Sequence, residues 1–268
     1  LPKELIRPWL KVGDIQPYAI RPNEARELVY TPAIRSIEDY PELLDRLLPF
    51  KSRLSHRREA KNGRIRWFDL QWPREQWLFE EEKLICRFKA SENSFCYDNS
   101  GYYSSADTTI VVLKKDRKKD IRLKYLLALL NSKVLSFYFR SYGKLMDYRY
   151  EYYPGPVGRL RIKESHYQDE MVNLVDYVLF LKNKCTEEPH ATEMVSLFER
   201  VIDAAVYEIY FGAKGAGILR YLCSLPQLSE GNDAGNLHLT EQVYSQWTNT
   251  VHPFSFTSYE MSILRVIR

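Results

Sequence analysis

Residues 123–153 read LKYLLALLNSKVLSFYFRSYGKLMDYRYEYY, and the expected fold follows from them. Leu126, Leu127, Leu130, Val134, Phe137 and Tyr138 recur at three- and four-residue spacing, the pattern of a helix with one apolar face. Asn131-Ser132 interrupts that pattern, which predicts two short helices or one bent helix. After Gly143 the pattern changes. Lys144, Tyr148, Arg149, Tyr150, Tyr152 and Tyr153 alternate as in an extended segment, and Pro154, Gly155, Pro156 and Gly158 end it. The first half reads as core. The second reads as a surface suited to a flat, polar, negatively charged partner, although tyrosines with a polar handle serve equally well as half-buried packing.

Working outward, residues 51–68 (KSRLSHRREAKNGRIRWF) set Lys51, Arg53, Arg57, Arg58, Lys61, Arg64 and Arg66 against one acid, Glu59. A charge run is often a solvated face. The alternative is phosphate contact, with Arg or His reaching base edges. Between the two basic stretches, Leu84–Phe88, Ser94–Tyr97 and Thr108–Leu113 read as strands, with a tight turn at residues 98–101. Tyr18–Ile20 and Leu28–Tyr30 are shorter strand candidates. A helix is expected to open at Ser36-Ile37-Glu38-Asp39 and to carry Leu43, Leu44, Leu47 and Leu48 as a core stripe. Residues 164–211 carry two further apolar stripes, predicting two antiparallel helices joined at Thr186–Pro189.

The 268 residues, 45% hydrophobic, can build one large domain or two modest ones. Charge is unevenly placed. Residues 1–163 carry 32 Lys+Arg against 21 Asp+Glu, or +11; residues 164–268 carry 7 against 14, or −7. This suggests a basic working surface followed by an acidic, structural part. The expected division is 1–157, a target-recognition α/β region, and 158–268, a helical region with its tail. Cys86, Cys96, Cys185 and Cys223 lack zinc or redox spacing and fit buried thiols in a reducing cytoplasm. No apolar run approaches a membrane span. A start at Leu1 suggests a piece of a longer protein.

Catalytic motifs are absent: no phosphate-binding Gly-rich loop, no dinucleotide fingerprint, no zinc helix, no nucleophile elbow and no methyltransferase Asn/Asp-Pro-Pro-Tyr/Phe motif. Asp69, Glu81 and Lys83 could imitate a metal-nuclease triad, two carboxylates holding Mg²⁺ beside a lysine. A protein-interaction scaffold is a second alternative, with the tyrosines as its interface. The residues favour a DNA-binding surface instead. Basic side chains supply affinity through counterion release, and Arg, Asn, Gln and Ser supply hydrogen bonds to base edges.

Several stretches resemble, in order, the C-terminal specificity domain of TaqI-like adenine methyltransferases and type IIG restriction-modification enzymes. They are ELIRPWLKVGDIQPY (4–18), YPELLDRLLPFKSRLSHR (40–57), WFDLQWPR (67–74), FEEEKLICR (79–87), FCYDNSGYY (95–103), YLLALLNSKVLSFYF (125–139) and VIDAAVYEIYFG (201–212). In place of the family's apolar-Pro-Ile-Pro segment stands GRLRIKESHYQ (158–168). The resemblance implies an α+β recognition domain, with a mixed sheet, flanking helices and a helical C-terminal part, that binds double-stranded DNA. It also implies an upstream methyltransferase domain that binds S-adenosylmethionine and methylates adenine at N6, and a possible endonuclease domain using Mg²⁺; this segment itself holds no cofactor. The DNA-contact candidates are Arg53, His56, Arg57, Arg58, Lys61, Arg64 and Arg66, then Lys144, Tyr148, Arg149, Tyr150 and Tyr152.

Overall fold

Alternation in the sequence becomes a sheet covered on both faces. In the computed structural model, which describes residues 1–184, 190–212 and 217–249, β1 (Ile6–Leu10) pairs antiparallel with β2 (Glu27–Val29). The strand β3 (Lys83–Arg87) is followed by the short β4 (Lys89–Ala90), then β5 (Phe95–Asp98), β6 (Tyr103–Ser104) and β7 (Thr108–Val112). β3 lies between β5 and β7, antiparallel to both, with Ile85 opposite Cys96 and Ile110. Successive side chains of a strand point to opposite faces. Leu84, Cys86 and Phe95 therefore join the main core, while Ile85 and Cys96 meet Leu10 and Ile15 on the other side. β6 returns to pair parallel with β1, making that first sheet mixed.

The mixed α+β architecture expected from the sequence is present, but the strands are shared among three three-stranded sheets rather than gathered in one. The third sheet has the order β4-β9-β8, where β8 (Leu145–Met146) and β9 (Arg149–Glu151) form a hairpin. Tyr18–Ile20 is no strand. Tyr18 has φ +71, which breaks an extended run, and it makes an isolated bridge to Cys96.

The N-terminal helices are short: α1 (Pro41–Leu47), α2 (Lys51–Ser55), α3 (Arg58–Lys61) and α4 (Trp77–Glu80). Only Leu43 of the expected stripe is buried. It packs with Leu5, Ile34, Ile37 and Phe68 in a satellite core, while Leu48, in the 3-10 turn that follows α1, is exposed.

The interrupted helix is two helices, α5 (Leu123–Asn131) and α6 (Lys133–Arg140). The break is built from the two residues that signalled it. Ser132, extended at ψ 151, accepts from the Leu135 amide and so caps α6. Asn131 donates to and accepts from the backbone of Phe95 at 2.9 and 2.8 Å, imitating a neighbouring strand. α5 is buried nearly all round, as a central helix must be. Phe137, expected on the apolar face, points outward at 77% exposure. After the one-turn α7 (Pro154–Val157) come α8 (Gln168–Lys184) and α9 (Ala191–Phe211), which pack on α5 and on each other. The expected connection at Thr186–Pro189 lies outside the described residues. α10 (Ile218–Leu222) and α11 (Asp233–Thr248) close the main core, with Trp247 against Phe198. One continuous apolar core thus runs from β3 and β5 across residue 157 into the C-terminal helices.

Candidate nucleic-acid interface

The first basic group occupies the corner made by α2 and α3. Glu59, buried at its centre, ties the corner to the following loop. Its carboxylate accepts from Gln71 Nε2 at 2.9 Å and faces Arg58 Nε at 3.5 Å, and its carbonyl accepts from the Arg64 amide. Gly63 at φ +67 makes the turn that brings Arg64 back. Around this frame the cations divide. Arg57 donates to the Leu54 and Trp67 carbonyls at 3.0 and 2.8 Å. Arg66 forks onto Asp69 at 2.8 and 2.7 Å, donates to the Ile34 and Arg35 carbonyls and lies over the Phe68 ring. The pairing with Asp69 raises the Arg66 pKa. These two arginines, half-buried and committed to the protein's own backbone, hold the loop. Arg53, Arg58, Lys61 and Arg64 are exposed and point outward. His56 is exposed on the same corner, its Nδ1 2.7 Å from the Ser52 carbonyl.

The second group rides on the β8–β9 hairpin. Lys144 and Glu151 pair at 3.1 Å at its base, and β9 is stitched to β4. Tyr148 stands at the tip, 73% exposed, with the Arg149 guanidinium 5.0 Å from its ring centroid. Tyr150 is half-buried against Phe139. Tyr152 corrects the sequence expectation. It is 0% exposed, stacked on Phe139 at 4.3 Å, and its hydroxyl donates to Asn93 Oδ1 at 3.0 Å. Burial pushes the Tyr152 hydroxyl pKa up. It is a pillar under the hairpin, with no face left for DNA.

The nuclease-like triad is not assembled. Lys83 is buried and pairs with Asp98 at 2.5 Å, and it also donates to the Phe79 carbonyl. Asp69 is held by Arg66, and Glu81 by Lys118 at 2.7 Å. With its ammonium enclosed and neutralised by Asp98, Lys83 has no access to a water or a phosphate. Asp98 also accepts from the Ser100 and Tyr102 amides, so the pair fixes the turn at residues 98–101. Tyr103, beyond that turn, is buried against Phe79.

Exposed aromatic and apolar side chains escaped the sequence reading. Trp72 is 61% exposed and follows Gln71, the residue bonded to Glu59 of the basic corner. Leu145 and Met146 are exposed on the hairpin beside Tyr148. The available signal was position: Trp72 lies in a short loop before Pro73, and Leu145-Met146 lie next to a turn.

The two groups stand on separate supports, a helical corner over the satellite core and a hairpin over the main core. A family model described as the TaqI-like C-terminal specificity domain matches residues 13–152, more than half of the chain. The chain belongs to that family. The TaqI-like specificity domain match takes in the whole basic corner, the three-stranded sheet around β3, the α5–α6 pair and the hairpin, and it supports DNA target recognition as their shared role. Among the described residues no helix is long and apolar enough to cross a membrane, and Cys86, Cys96 and Cys223 are free thiols, the first two buried. Burial pushes both buried thiols up, so they are poor nucleophiles.

Proposed function

We propose that this chain reads the DNA target of a restriction-modification enzyme whose upstream domain is an S-adenosylmethionine-dependent adenine-N6 methyltransferase. The observation that carries the reading is the family match, together with four exposed cations facing outward from one rigid corner. The upstream domain would hold S-adenosylmethionine and flip the adenine, and an endonuclease domain with Mg²⁺ would belong to the same enzyme. This segment's part is positioning. Arg53, Arg58, Lys61 and Arg64 neutralise phosphates, and the hairpin approaches the bases. Such an enzyme acts on DNA in the cytoplasm.

Charge reversal tests the reading. Lys61→Glu with Arg64→Glu alters two exposed side chains of the corner and leaves the Arg58–Glu59 contact in place. The pair is expected to weaken binding to a duplex and to reduce the slope of log affinity against log salt by roughly 0.9 for each phosphate no longer neutralised. In the complete enzyme, the same pair is expected to lower tritiated methyl transfer from S-adenosylmethionine to duplex adenine. A wild-type chain without affinity for duplex DNA at low salt would sink the proposal.

A further inference from the structure

The β8–β9 hairpin has an unusual end for a solvent-facing ribbon. Leu145 is 55% exposed, Met146 40% and Tyr148 73%; Leu145 shares the face of Tyr150, whereas Met146 lies on the opposite face with Arg149, next to Tyr148 in the loop. The two-residue loop, Asp147-Tyr148, holds Asp147 at φ +60, a left-handed conformation that side-chain-bearing residues rarely adopt. The stem is firm. Lys144 pairs with Glu151, the Glu151 amide donates to the Lys144 carbonyl at 3.0 Å, the Tyr152 amide donates to the Phe88 carbonyl, and Tyr152 is locked on Phe139. Cations flank the tip: Arg149 beside Tyr148, and Lys89 with its ammonium 3.0 Å from Met146 Sδ. With Lys144 and Glu151 neutralising each other, Asp147 is the one acid left in this segment of the chain, residues 140–153.

An apolar tip rimmed by cations complements a groove floored by base edges and walled by phosphates. A two-stranded ribbon fits the major groove of B-DNA, roughly 12 Å wide, and not the minor groove, roughly 6 Å. The one large apolar group that the major groove displays is the thymine C5 methyl. We propose that the hairpin enters the major groove and that Met146 and Tyr148 read thymine methyl groups, while Arg149 and Lys89 meet the flanking phosphates. This inference rests on the DNA-recognition reading above and adds to it a groove, a chemical group and two reading residues.

The test replaces thymine by deoxyuridine, which removes only that methyl. A preferred duplex is first selected by the wild-type chain from a random-sequence pool at low salt, then resynthesised with deoxyuridine at each thymine in turn. The wild type is expected to bind at least one such duplex about fourfold more weakly, the effect of losing one buried methyl. Met146→Ala and Tyr148→Ala, both exposed and expected to melt like the wild type, should bind the thymine and deoxyuridine duplexes equally. A selected site without thymine, a wild type indifferent to every replacement, or tip variants that keep the discrimination would each overturn the inference while leaving DNA recognition standing. A wild type that selects no duplex would remove the recognition reading itself.

Discussion

At the scale of single residues, the same residue type takes opposite roles a few positions apart. Arg57 and Arg66 are spent on backbone carbonyls, whereas Arg58 and Arg64 face solvent. Lys83 is the extreme case, an ammonium with 0% exposure facing Asp98. Breaking a buried pair by removing one partner leaves an uncompensated charge and costs about 3–5 kcal/mol. Lys83→Met is therefore expected to lower the denaturant midpoint sharply, while Lys83→Met with Asp98→Asn recovers part of the loss. The asparagine side chain leaves no charge behind and retains an acceptor oxygen for one of the two turn amides, so the recovery is partial. Recovery by the double variant distinguishes charge burial from simple loss of packing, and its absence would show that the ion pair is not what holds β3 to its turn.

At the scale of elements, Asn131-Ser132 joins two helices to a sheet. Asn131 satisfies both the amide and the carbonyl of Phe95, the first residue of β5. Asn131→Ala leaves these groups without that partner and is expected to cost about 2 kcal/mol, read as a lower thermal midpoint. Hydrogen exchange at Phe95 should accelerate more than exchange elsewhere in β5. Uniform acceleration along β5 would contradict the local role. The interruption was legible because Asn and Ser break an apolar run. That Asn131 serves as a strand edge was not, since its partner is 36 positions away.

At the scale of the whole molecule, the charge division has two meanings. Part of the positive charge of the first region is consumed by the acids of the second. Arg117 pairs with Glu164 at 2.8 Å, Lys124 with Asp176 at 2.6 Å, and Arg122 with Asp169 at 3.3 Å. The core likewise crosses residue 157, where chemistry and charge change in the sequence. A fragment ending at Val157 strips α8 and α9 from α5 and is expected to lack a cooperative thermal transition; a cooperative one would show that the first region folds alone. Asp203 of α9 reaches back in the same way, its carboxylate accepting from the Lys133 amide at 2.8 Å at the start of α6. Burial outweighs this bond and lifts the Asp203 carboxyl to about 6. The unfolded value is lower, so between about pH 4 and pH 6 the folded state binds more protons than the unfolded one. The contribution of Asp203 to stability is therefore fully present below that window and is lost as pH rises through it. Relative to Asp203→Asn, the wild type should be more stable at pH 4 than at pH 7, as measured by urea unfolding. A constant difference across that range would contradict the shift.

Local pattern by itself determined the strands β3, β5 and β7, the break between α5 and α6, the helices α8 and α9, and an ordered set of segments of which those within residues 13–152 match the specificity-domain family. Periodicity and turn chemistry are properties of neighbouring residues, so they can be read without knowing where the chain goes. Tertiary structure alone decided which side of each element faces inward. Tyr148, Tyr150 and Tyr152 share one spacing, yet the first is exposed, the second half-buried and the third enclosed. The hairpin descends from solvent onto Phe139, and depth along it is set by that distant contact. The same holds for Arg57 against Arg58, and for Lys83 against its solvent-facing relatives. Burial depends on what packs from elsewhere in the chain, which no spacing along the sequence records.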